Sequence, residues 1–481
     1  MKKIVSLLLI VIMLFGAVIA VRAEDSGEID FGELAGAVGD VNVDTVINST
    51  DLAQLKKILL GTAQVQILKT ADVNKDGVIN LKDLVRMKKM LADLMTNLYK
   101  EYINYRAPLI NTYKRLKEDK ELKILYFGGS VTAGYGGTWD SNVNDNAGSW
   151  RYKSYQWFKN NYPDADITQI NTAIGESGTF LGTYRLQDDV IAKNPDLIFI
   201  EYAINDRYKG SSKEVAALQY ETIVREIKKA LPKCDIVTLL VTDKDVAGTM
   251  YPTAEGHEEM AEYYNISTVN VGLALWNAIG KTTENWSTYF IDVVHPKDAG
   301  YSEYYKCLEE YLNNALLLTD FSRVEDTSSE LGVVKSEYLL DGNRTAAMGD
   351  NLSEYVITDQ TSGFTYIANE YFAGSSGGVH TGYYQTDATH TDAKITFSFK
   401  GTEFAFWTNF LQDSTIKYSV DGADYVTISC DSHAPTQVIT GLKSAEHTIT
   451  IMPVSYGSKS DMKIHAIFTR DETLQTVKGG Y

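Results

Sequence analysis

Apolar runs alternate with amphipathic stretches along the middle of the chain. Short, nearly all-apolar runs predict strands over residues 122–128, 166–170, 196–203 and 234–241, with a weaker one over 266–271. Between them, apolar residues recur at helical spacing. Strands that alternate with helices indicate a parallel sheet with helices on both faces, and strands apolar on both sides suit its interior. We therefore predict an α/β/α domain over residues 121–320.

The pattern differs on either side of this region. From residue 328 to 475, short strands with alternating polar and apolar positions are separated by tight turns, which predicts an all-β sandwich. Residues 97–120 are polar with helical intervals and are predicted to form a helical connector. Two further helical patterns lie within residues 36–96 and belong to an internal repeat described below.

The N-terminus carries a targeting pattern. Lys2 and Lys3 precede an apolar run that ends at Val21, and Ala23 offers a small residue for cleavage. This arrangement predicts a signal peptide over residues 1–23 and therefore a secreted, extracellular protein. A retained membrane anchor is the alternative, because the run is nearly long enough to span a bilayer.

Composition narrows the classes of partner. The 481 residues carry a net charge of −18, which argues against nucleic acid or an anionic membrane surface as a partner. The three cysteines are far apart, so we expect neither a disulfide framework nor a zinc site.

Two acidic stretches match each other at an offset of 32 residues, beginning at Asp40 and Asp72. Oxygen-bearing side chains recur at loop positions 1, 3, 5, 9 and 12, and an apolar-faced helix follows each loop. A hard cation such as calcium needs six to eight oxygen ligands around one point. Solvated Asp/Asn turns would not be expected to repeat in register. The predicted calcium ligands are Asp40, Asn42, Asp44, Asn48 and Asp51, then Asp72, Asn74, Asp76, Asn80 and Asp83, with the backbone carbonyls of Val46 and Val78.

These two loops and their helices resemble a dockerin module over residues 36–96. The resemblance implies structural calcium and a cohesin module of a scaffoldin as the protein partner. It also implies that loop positions 10 and 11 help to select that partner, namely Ser49, Thr50, Leu81 and Lys82. Thr45 stands where the second loop has Gly77, a position that needs a sharp turn, so we expect either a weaker first calcium site or a first loop that bends differently.

A serine lies among glycines in the sequence "YFGGSVTAGYGG", directly after the first predicted strand. Reactive sites of parallel sheets lie at the carboxyl ends of the strands, where Ser130 is placed. Neither phosphate-binding glycine pattern fits, and the lipase elbow G-x-S-x-G fails at Thr132. The stretch by itself leaves a nucleophile and a structural turn open.

A serine nucleophile needs a histidine base and a group that orients the base. Between residues 121 and 320 the only histidines are His257 and His295. His257 lies at the polar start of a predicted helix and is expected on the solvated surface. His295 follows Asp292 by three residues in the last loop before the final helix, where the two side chains can hydrogen bond.

Two further segments can supply hydrogen bonds to an oxyanion. Asn205 follows the third strand, and its amide can donate at the edge of the sheet. The glycine-rich turn after the second strand offers backbone N–H groups near Gly175. Each segment also has a purely structural explanation when taken alone: an Asx turn at Asn205 and an ordinary turn at Gly175.

In this order, the segments resemble the SGNH (GDSL-like) hydrolase family over about residues 121–320, with its flavodoxin-like α/β/α fold. The resemblance implies that Ser130 is the nucleophile, His295 the base and Asp292 the residue that orients it. It implies an oxyanion hole formed by Asn205, the Ser130 amide and the amide of Gly175 or Glu176, of which we assign Gly175. The usual aspartate before the serine is Gly129 in this chain.

The resemblance is strongest to SGNH esterases that act on carbohydrates, and the β-sandwich resembles jelly-roll domains found beside such enzymes. We expect a cellulosome-type esterase that removes acetyl groups from plant polysaccharide such as xylan, with no cofactor for catalysis. Tyr135, Trp139 and Tyr202 are candidate sugar-stacking walls, with core packing as the alternative. An SGNH esterase, thioesterase or lipase of other acyl specificity, and a non-catalytic glycan-binding protein, remain open.

Overall fold

The computed structural model describes most of the chain beyond the N-terminal segment. The described residues are 41–43, 49–64, 68–73, 77–87, 99–319, 321, 324, 335, 343–371, 381–409, 413–430 and 437–471. The chain forms two compact units, Met1–Lys100 and Glu101–Tyr481. The predicted signal peptide, residues 1–23, lies outside the described residues. Among those described, no helix is both long and apolar enough to cross a membrane.

The first unit contains the two repeats. Its helices are α1 (Ser49–Leu59), α2 (Leu68–Ala71) and α3 (81–87). Their apolar faces meet in a small core formed by Val41, Leu55, Ala71, Val73 and Met87. The repeat therefore folds by burying the helical stripe that follows each loop, as the sequence predicts.

Each described loop end is tied to the helix after it. Asp51 and Asp83 are fully buried, and each carboxylate accepts a hydrogen bond from a backbone N–H of its own loop, that of Asn42 at 3.0 Å and that of Asn80 at 2.7 Å. Gly77 has a φ of +82°, and its N–H donates to Asp72 at 2.8 Å. These carboxylate and amide oxygens are the ligand type that calcium prefers.

Several of the predicted loop residues lie outside the part of the chain that the structure describes. Asp40, Asp44, Thr45, Asn48, Asn74 and Asp76 lie outside the described residues, as does the side chain of Ser49. Within the described part of the chain, no group of three or more His, Cys, Asp or Glu side chains forms a metal-binding cluster. Of the predicted partner-binding residues, Leu81 is an exposed apolar side chain at the start of α3.

A six-stranded sheet forms the centre of the second unit. Its strands are β1 (Ile103–Asn104), β2 (Glu121–Gly128), β3 (Asp166–Asn171), β4 (Leu197–Glu201), β5 (Asp235–Leu239) and β6 (Ser267–Val269). Their order is β1-β6-β5-β4-β2-β3, and all neighbours are parallel except β1 and β6. β2 and β4 are neighbouring parallel strands in the interior of the sheet, so their carboxyl ends lie side by side.

The helices of this unit contact one another in two groups. The ranges are α4 (Ile110–Lys114), α5 (Ser130–Ala133), α6 (Trp150–Asn161), α7 (Thr179–Asp189), α8 (Ala203–Tyr208), α9 (Lys213–Ala230), α10 (Pro252–Tyr263), α11 (Val271–Ala278), α12 (Trp286–Tyr289) and α13 (Asp298–Leu312). Helices α7 to α10 pack against one another. In the second group, α13 contacts each of α6, α11 and α12. The predicted α/β/α class is confirmed, and each apolar run predicted as a strand is a strand of this sheet.

The predicted helical connector, residues 97–120, is helical only in part. Within it, the structure has a 3₁₀ turn (Lys100–Tyr102), the edge strand β1, helix α4 and a π turn (Arg115–Asp119). β1 extends the sheet because Ile103 is buried and pairs with Val269. A two-residue strand is too short to show a period of two in the sequence.

The C-terminal region folds into two antiparallel sheets, which confirms the predicted β-rich class. One sheet has the order β10-β15-β12-β13, and the other β14-β11-β16-β9-β8, with β7 paired to β16. The strands are β7 (Asn343–Met348), β8 (Thr365–Tyr371), β9 (Thr381–Asp387), β10 (Ile395–Gly401), β11 (Glu403–Thr408), β12 (Thr415–Val420), β13 (Val426–Ser429), β14 (Gln437–Ile439), β15 (Ala445–Ser455) and β16 (Asp461–Asp471). Apolar side chains from both sheets, Phe397 and Phe404 among them, share one core.

A second apolar cluster joins this β region to the α/β region. Leu181 and Tyr184 of α7 pack with Trp407 of β11 and Phe468 of β16. Ile174, four residues before Gly178, belongs to the same cluster. The β region therefore packs on the helix that begins at the glycine-rich turn. The domain limits 36–96, 121–320 and 328–475 remain predictions.

Candidate active site

Ser130 lies where strand β2 ends and the short helix α5 begins. Gly129 ends the extended backbone with φ −92° and ψ −156°, and the Ala133 N–H then donates to the Gly129 carbonyl at 2.9 Å. This sharp change from strand to helix lifts the Ser130 side chain to the carboxyl edge of the sheet. Its Oγ lies 2.7 Å from His295 Nε2.

Asp292 and His295 share a turn between α12 and α13. His295 Nδ1 lies 2.7 Å from Asp292 Oδ2, and the His295 backbone N–H donates to Asp292 Oδ1 at 2.8 Å. A carboxylate only accepts hydrogen bonds, so Nδ1 carries the proton and Nε2 can accept from the Ser130 hydroxyl. A hydroxyl, an imidazole and a carboxylate thus form one hydrogen-bonded row.

The pKa of Asp292 is set by two opposing effects. Partial burial raises this pKa. Hydrogen bonds from the His295 backbone and side chain and from the Val294 N–H lower it by more, so the pKa of Asp292 is below its usual value. Because a lowered pKa favours the ionised form, the carboxylate keeps the charge that pairs with a protonated imidazole.

Asn205 lies beside the serine loop. A Cβ on residue 129 would lie 2.0 Å from Asn205 Nδ2, so glycine at this position allows the amide to approach the backbone next to Ser130. The same nitrogen donates to the Ser177 carbonyl at 2.7 Å. The departure from the family pattern at Gly129 therefore has a steric reason in this chain.

Gly175 lies in a tight turn closed by a hydrogen bond from the Ser177 N–H to the Ile174 carbonyl at 3.2 Å. The Ile174 N–H donates to the Gly128 carbonyl at 3.0 Å, so this turn starts beside the end of β2. Glu176 has a φ of +61°, whereas Gly175 is buried. The structure brings the turn to the serine loop, and the assignment of Gly175 over Glu176 as a donor stays a prediction.

Sequence reasoning missed a buried carboxyl beneath the serine. Glu201, at the end of β4, accepts a hydrogen bond from the Thr132 hydroxyl at 2.8 Å and is also bonded by the Gly129 and Thr132 N–H groups. Its burial raises its pKa to about 8. A charged residue inside an otherwise apolar strand run was the available signal.

The expectation of a solvated His257 is wrong. His257 is fully buried, and its Nε2 lies 2.9 Å from Asp206 Oδ2. The acidic residues around it suggested an exposed helix start, but its own side of α10 packs against α8 and α9. Asp206, the residue after Asn205, was likewise not singled out from the sequence.

The aromatic candidates divide between surface and core. Tyr135 and Trp139 are exposed, and the Tyr135 ring packs edge-on against His295 with centroids 4.7 Å apart. Thr138 is held by Asp298 through its N–H and its hydroxyl, both at 2.7 Å, which fixes the backbone before Trp139. Tyr202 is fully buried, so of the two alternatives for this residue the structure supports core packing.

The fold therefore brings a serine, a histidine and a carboxylate together at the carboxyl edge of a parallel sheet, and this is the set of groups that nucleophilic catalysis by a serine needs. The family model described as GDSL-like Lipase/Acylhydrolase matches residues 126–302, and that of the Dockerin type I domain matches residues 38–92. The chain therefore contains a GDSL-like lipase/acylhydrolase domain with a dockerin type I domain before it. Both predicted resemblances, and the expectation of an ester-hydrolysing enzyme, are confirmed.

Solved structures show a similar fold over a larger share of the chain. A two-domain esterase (CEX) active on acetylated mannans, co-crystallised with mannopentaose, is 20% identical with a TM-score of 0.59 and covers 78% of this chain and 99% of its own. A second structure of that esterase gives 19% identity, a TM-score of 0.58 and the same coverage. At these identities the similarity concerns the fold.

A third similarity is more limited. The acetylxylan esterase Axe2 from Geobacillus stearothermophilus is 19% identical with a TM-score of 0.35, and covers 43% of this chain and 97% of its own. That score is too low to support an argument. No curated protein matches the chain significantly.

Proposed function

We propose that this chain is a secreted carbohydrate esterase that removes acetyl groups from plant polysaccharide and is carried on a scaffold through its dockerin. The observation that carries the proposal is the hydrogen-bonded row of Ser130, His295 and Asp292. It stands at the carboxyl edge of the sheet, beside an amide and a glycine-rich turn.

In the first half of the reaction, Ser130 Oγ attacks the ester carbonyl carbon while His295 Nε2 takes the hydroxyl proton. Asp292 keeps the imidazole oriented and stabilises its positive charge. The Asn205 amide and the N–H groups of Ser130 and Gly175 donate to the oxygen that becomes negative. His295 then returns the proton to the sugar oxygen as that C–O bond breaks, which leaves an acetyl group on Ser130.

Water completes the cycle. His295 removes a proton from a water molecule as its oxygen attacks the acetyl-serine carbonyl, and the same donors stabilise the second oxyanion. Collapse of this intermediate returns the proton to Ser130 and releases acetate. In both halves of the reaction, His295 carries the proton and Ser130 carries the acetyl group.

Three observations support a carbohydrate substrate. The esterase that shares the fold over most of both chains acts on acetylated mannans. Tyr135 and Trp139 expose aromatic surface on the loop that contacts the His295 turn, where a sugar ring can stack. A dockerin fits an enzyme of polysaccharide breakdown. Mannan therefore joins xylan as a candidate backbone.

The dockerin is the basis for the proposed protein partner, a cohesin module, and for the proposed metal, calcium. Asn42, Asp51, Asp72, Asn80 and Asp83 provide oxygens suited to calcium, which would fix the two loops against their helices. Ser49, Thr50, Leu81 and Lys82 are the proposed cohesin-contacting residues.

Acetate release decides between substrates. The purified chain is incubated with acetylated glucomannan, acetylated xylan and p-nitrophenyl esters of two, four and eight carbons. We expect release from at least one polysaccharide and a fall in kcat/KM with acyl length. A preference for the longest ester would indicate a lipase, and polysaccharide binding without turnover of any ester would indicate a non-catalytic glycan-binding protein.

A further inference from the structure

A second histidine–carboxylate pair lies in the core and takes no part in the proposed proton transfers. His257 and Asp206 are both buried, at 0% and 1% exposure. The His257 ring stacks on Tyr220 with centroids 4.6 Å apart. Its Nδ1 has no hydrogen-bond partner among the residues that the structure describes. An apolar side chain would fill this space without burying a polar ring, so the bond to Asp206 is the feature that distinguishes histidine here.

The donor in this pair can be assigned. The Asp206 carboxylate only accepts when ionised, and His257 approaches it through Nε2 at 2.9 Å. The proton is therefore on Nε2, which donates to Asp206 Oδ2. His257 thus fixes one oxygen of Asp206 from the α10 side.

The other contacts of Asp206 lead to the glycine-rich turn. The Thr179 N–H donates to Oδ1 at 2.7 Å and the Thr179 hydroxyl to Oδ2 at 2.9 Å, so Asp206 holds the first residue of α7. A Cβ on Gly178 would lie 2.3 Å from Oδ1. Asp206 therefore lies directly against the end of the turn that contains Gly175.

The residue before Asp206 is Asn205. Its amide donates to the Ser177 carbonyl of the same turn and lies against Gly129, next to the serine. A single dipeptide therefore holds the turn at two points, one by each side chain. A shift of Asp206 would move both groups that are placed to face the ester oxygen.

We propose that His257 is a positioning residue that acts through Asp206 to hold the Asn205 amide and the turn 174–178 against the Ser130 loop. The inference rests on the proposed esterase function. Donors that stabilise the transition state change kcat more than KM, and a small misplacement reduces the rate by up to about 100-fold.

The test compares His257→Leu, His257→Gln and His257→Asn on p-nitrophenyl acetate. The glutamine amide reaches about as far as Nε2, whereas the asparagine amide does not. We expect His257→Leu to lower kcat by about 10- to 100-fold with KM within about twofold of wild type. We expect His257→Gln to recover most of kcat and His257→Asn to recover little.

Tyr220→Phe is the matched control. It removes a buried hydroxyl that is bonded to Thr238, and leaves the ring against His257 and the Asp206 contacts in place. We expect its kcat to equal that of wild type. An equal loss in this control would mean that general weakening of the core lowers turnover, which overturns the proposal.

Three other results would also overturn it. A folded His257→Leu with wild-type kcat would show that the pair does not position the donors. If that variant does not fold, equal kcat for the Gln and Asn variants would have the same meaning. A changed shape of the pH profile of kcat/KM in His257→Gln would mean that His257 itself transfers protons. Absence of ester turnover in the wild type would instead reject the proposed function.

Discussion

At the residue scale, the proposed chemistry depends on direct hydrogen bonds between side chains that are far apart in the sequence. Ser130, His295 and Asp292 are linked by two hydrogen bonds of 2.7 Å, although the serine and the histidine are 165 residues apart in sequence. Gly129 is part of the same arrangement, because any side chain there would displace Asn205. The glycine that stands here in place of the family's usual aspartate therefore fits the geometry of the site.

Replacing Asp292 tests the row without changing its shape. Asp292→Asn keeps the size of the side chain but removes the charge that stabilises a protonated His295. We expect kcat to fall by about 10³- to 10⁴-fold with the fold unchanged by circular dichroism. Because the pKa of Asp292 is below its usual value, the wild-type carboxylate stays ionised at mildly acidic pH, and a loss of activity there comes from another group. Unchanged turnover would show that another residue orients His295.

At the element scale, the junctions between strands and helices hold the site, and these were only partly predictable. The apolar runs located β2 to β6. The candidate residues lie after β2, β3 and β4 and in the turn between α12 and α13. Glu201 was not singled out and His257 was expected on the surface, because their partners, Thr132 and Asp206, are 69 and 51 residues away in sequence. Burial of a polar residue by such partners leaves no periodic signal.

Glu201 predicts a pH-dependent stability at the junction of β4 and α5. Its pKa is about 8 in the folded chain against an ordinary 4.5, so the folded state favours the protonated form. Its contribution to stability is complete below pH 4.5 and is lost as the pH rises towards about 8. We expect the free energy of unfolding of Glu201→Gln, relative to wild type, to increase across this window in denaturant titrations.

An exposed carboxylate provides the control for this titration. Glu262→Gln, on the exposed side of α10, should show a difference from wild type that is constant across the same window. A constant difference for Glu201→Gln as well would mean that Glu201 ionises normally in the folded chain.

At the scale of the whole molecule, the β region is attached to the helix that leaves the glycine-rich turn. Its strands β7, β11 and β16 bury Trp407 and Phe468 against α7. The sequence predicted a sandwich but could not say which surface it covers, because its apolar positions fit core and interface equally. Trp407 is buried in this junction.

Truncating the junction should weaken the second unit. Trp407→Ala leaves a cavity between β11 and α7, and we expect it to lower the free energy of unfolding by about 3 to 5 kcal/mol. Tyr425→Ala, at an exposed position of the β region, should change it by less than about 0.5 kcal/mol. A loss below about 1 kcal/mol for Trp407→Ala would contradict the packing described.

Calcium removal should separate the two units in function. The proposed ligands all lie in the first unit, whereas Ser130 and its partners lie in the second. We expect chelation to make residues 36–96 sensitive to protease and to abolish cohesin binding, while turnover of p-nitrophenyl acetate stays nearly constant. A parallel loss of turnover that returns with calcium would place a metal requirement in the catalytic unit.

The most direct test of the account is acetate release from acetylated glucomannan and xylan by the wild-type chain and by Ser130→Ala. The account predicts release by the wild type and a loss of at least about 10³-fold in the variant, whose fold and stability should be unchanged. Equal release by both chains would show that Ser130 is not the nucleophile and would contradict the central claim.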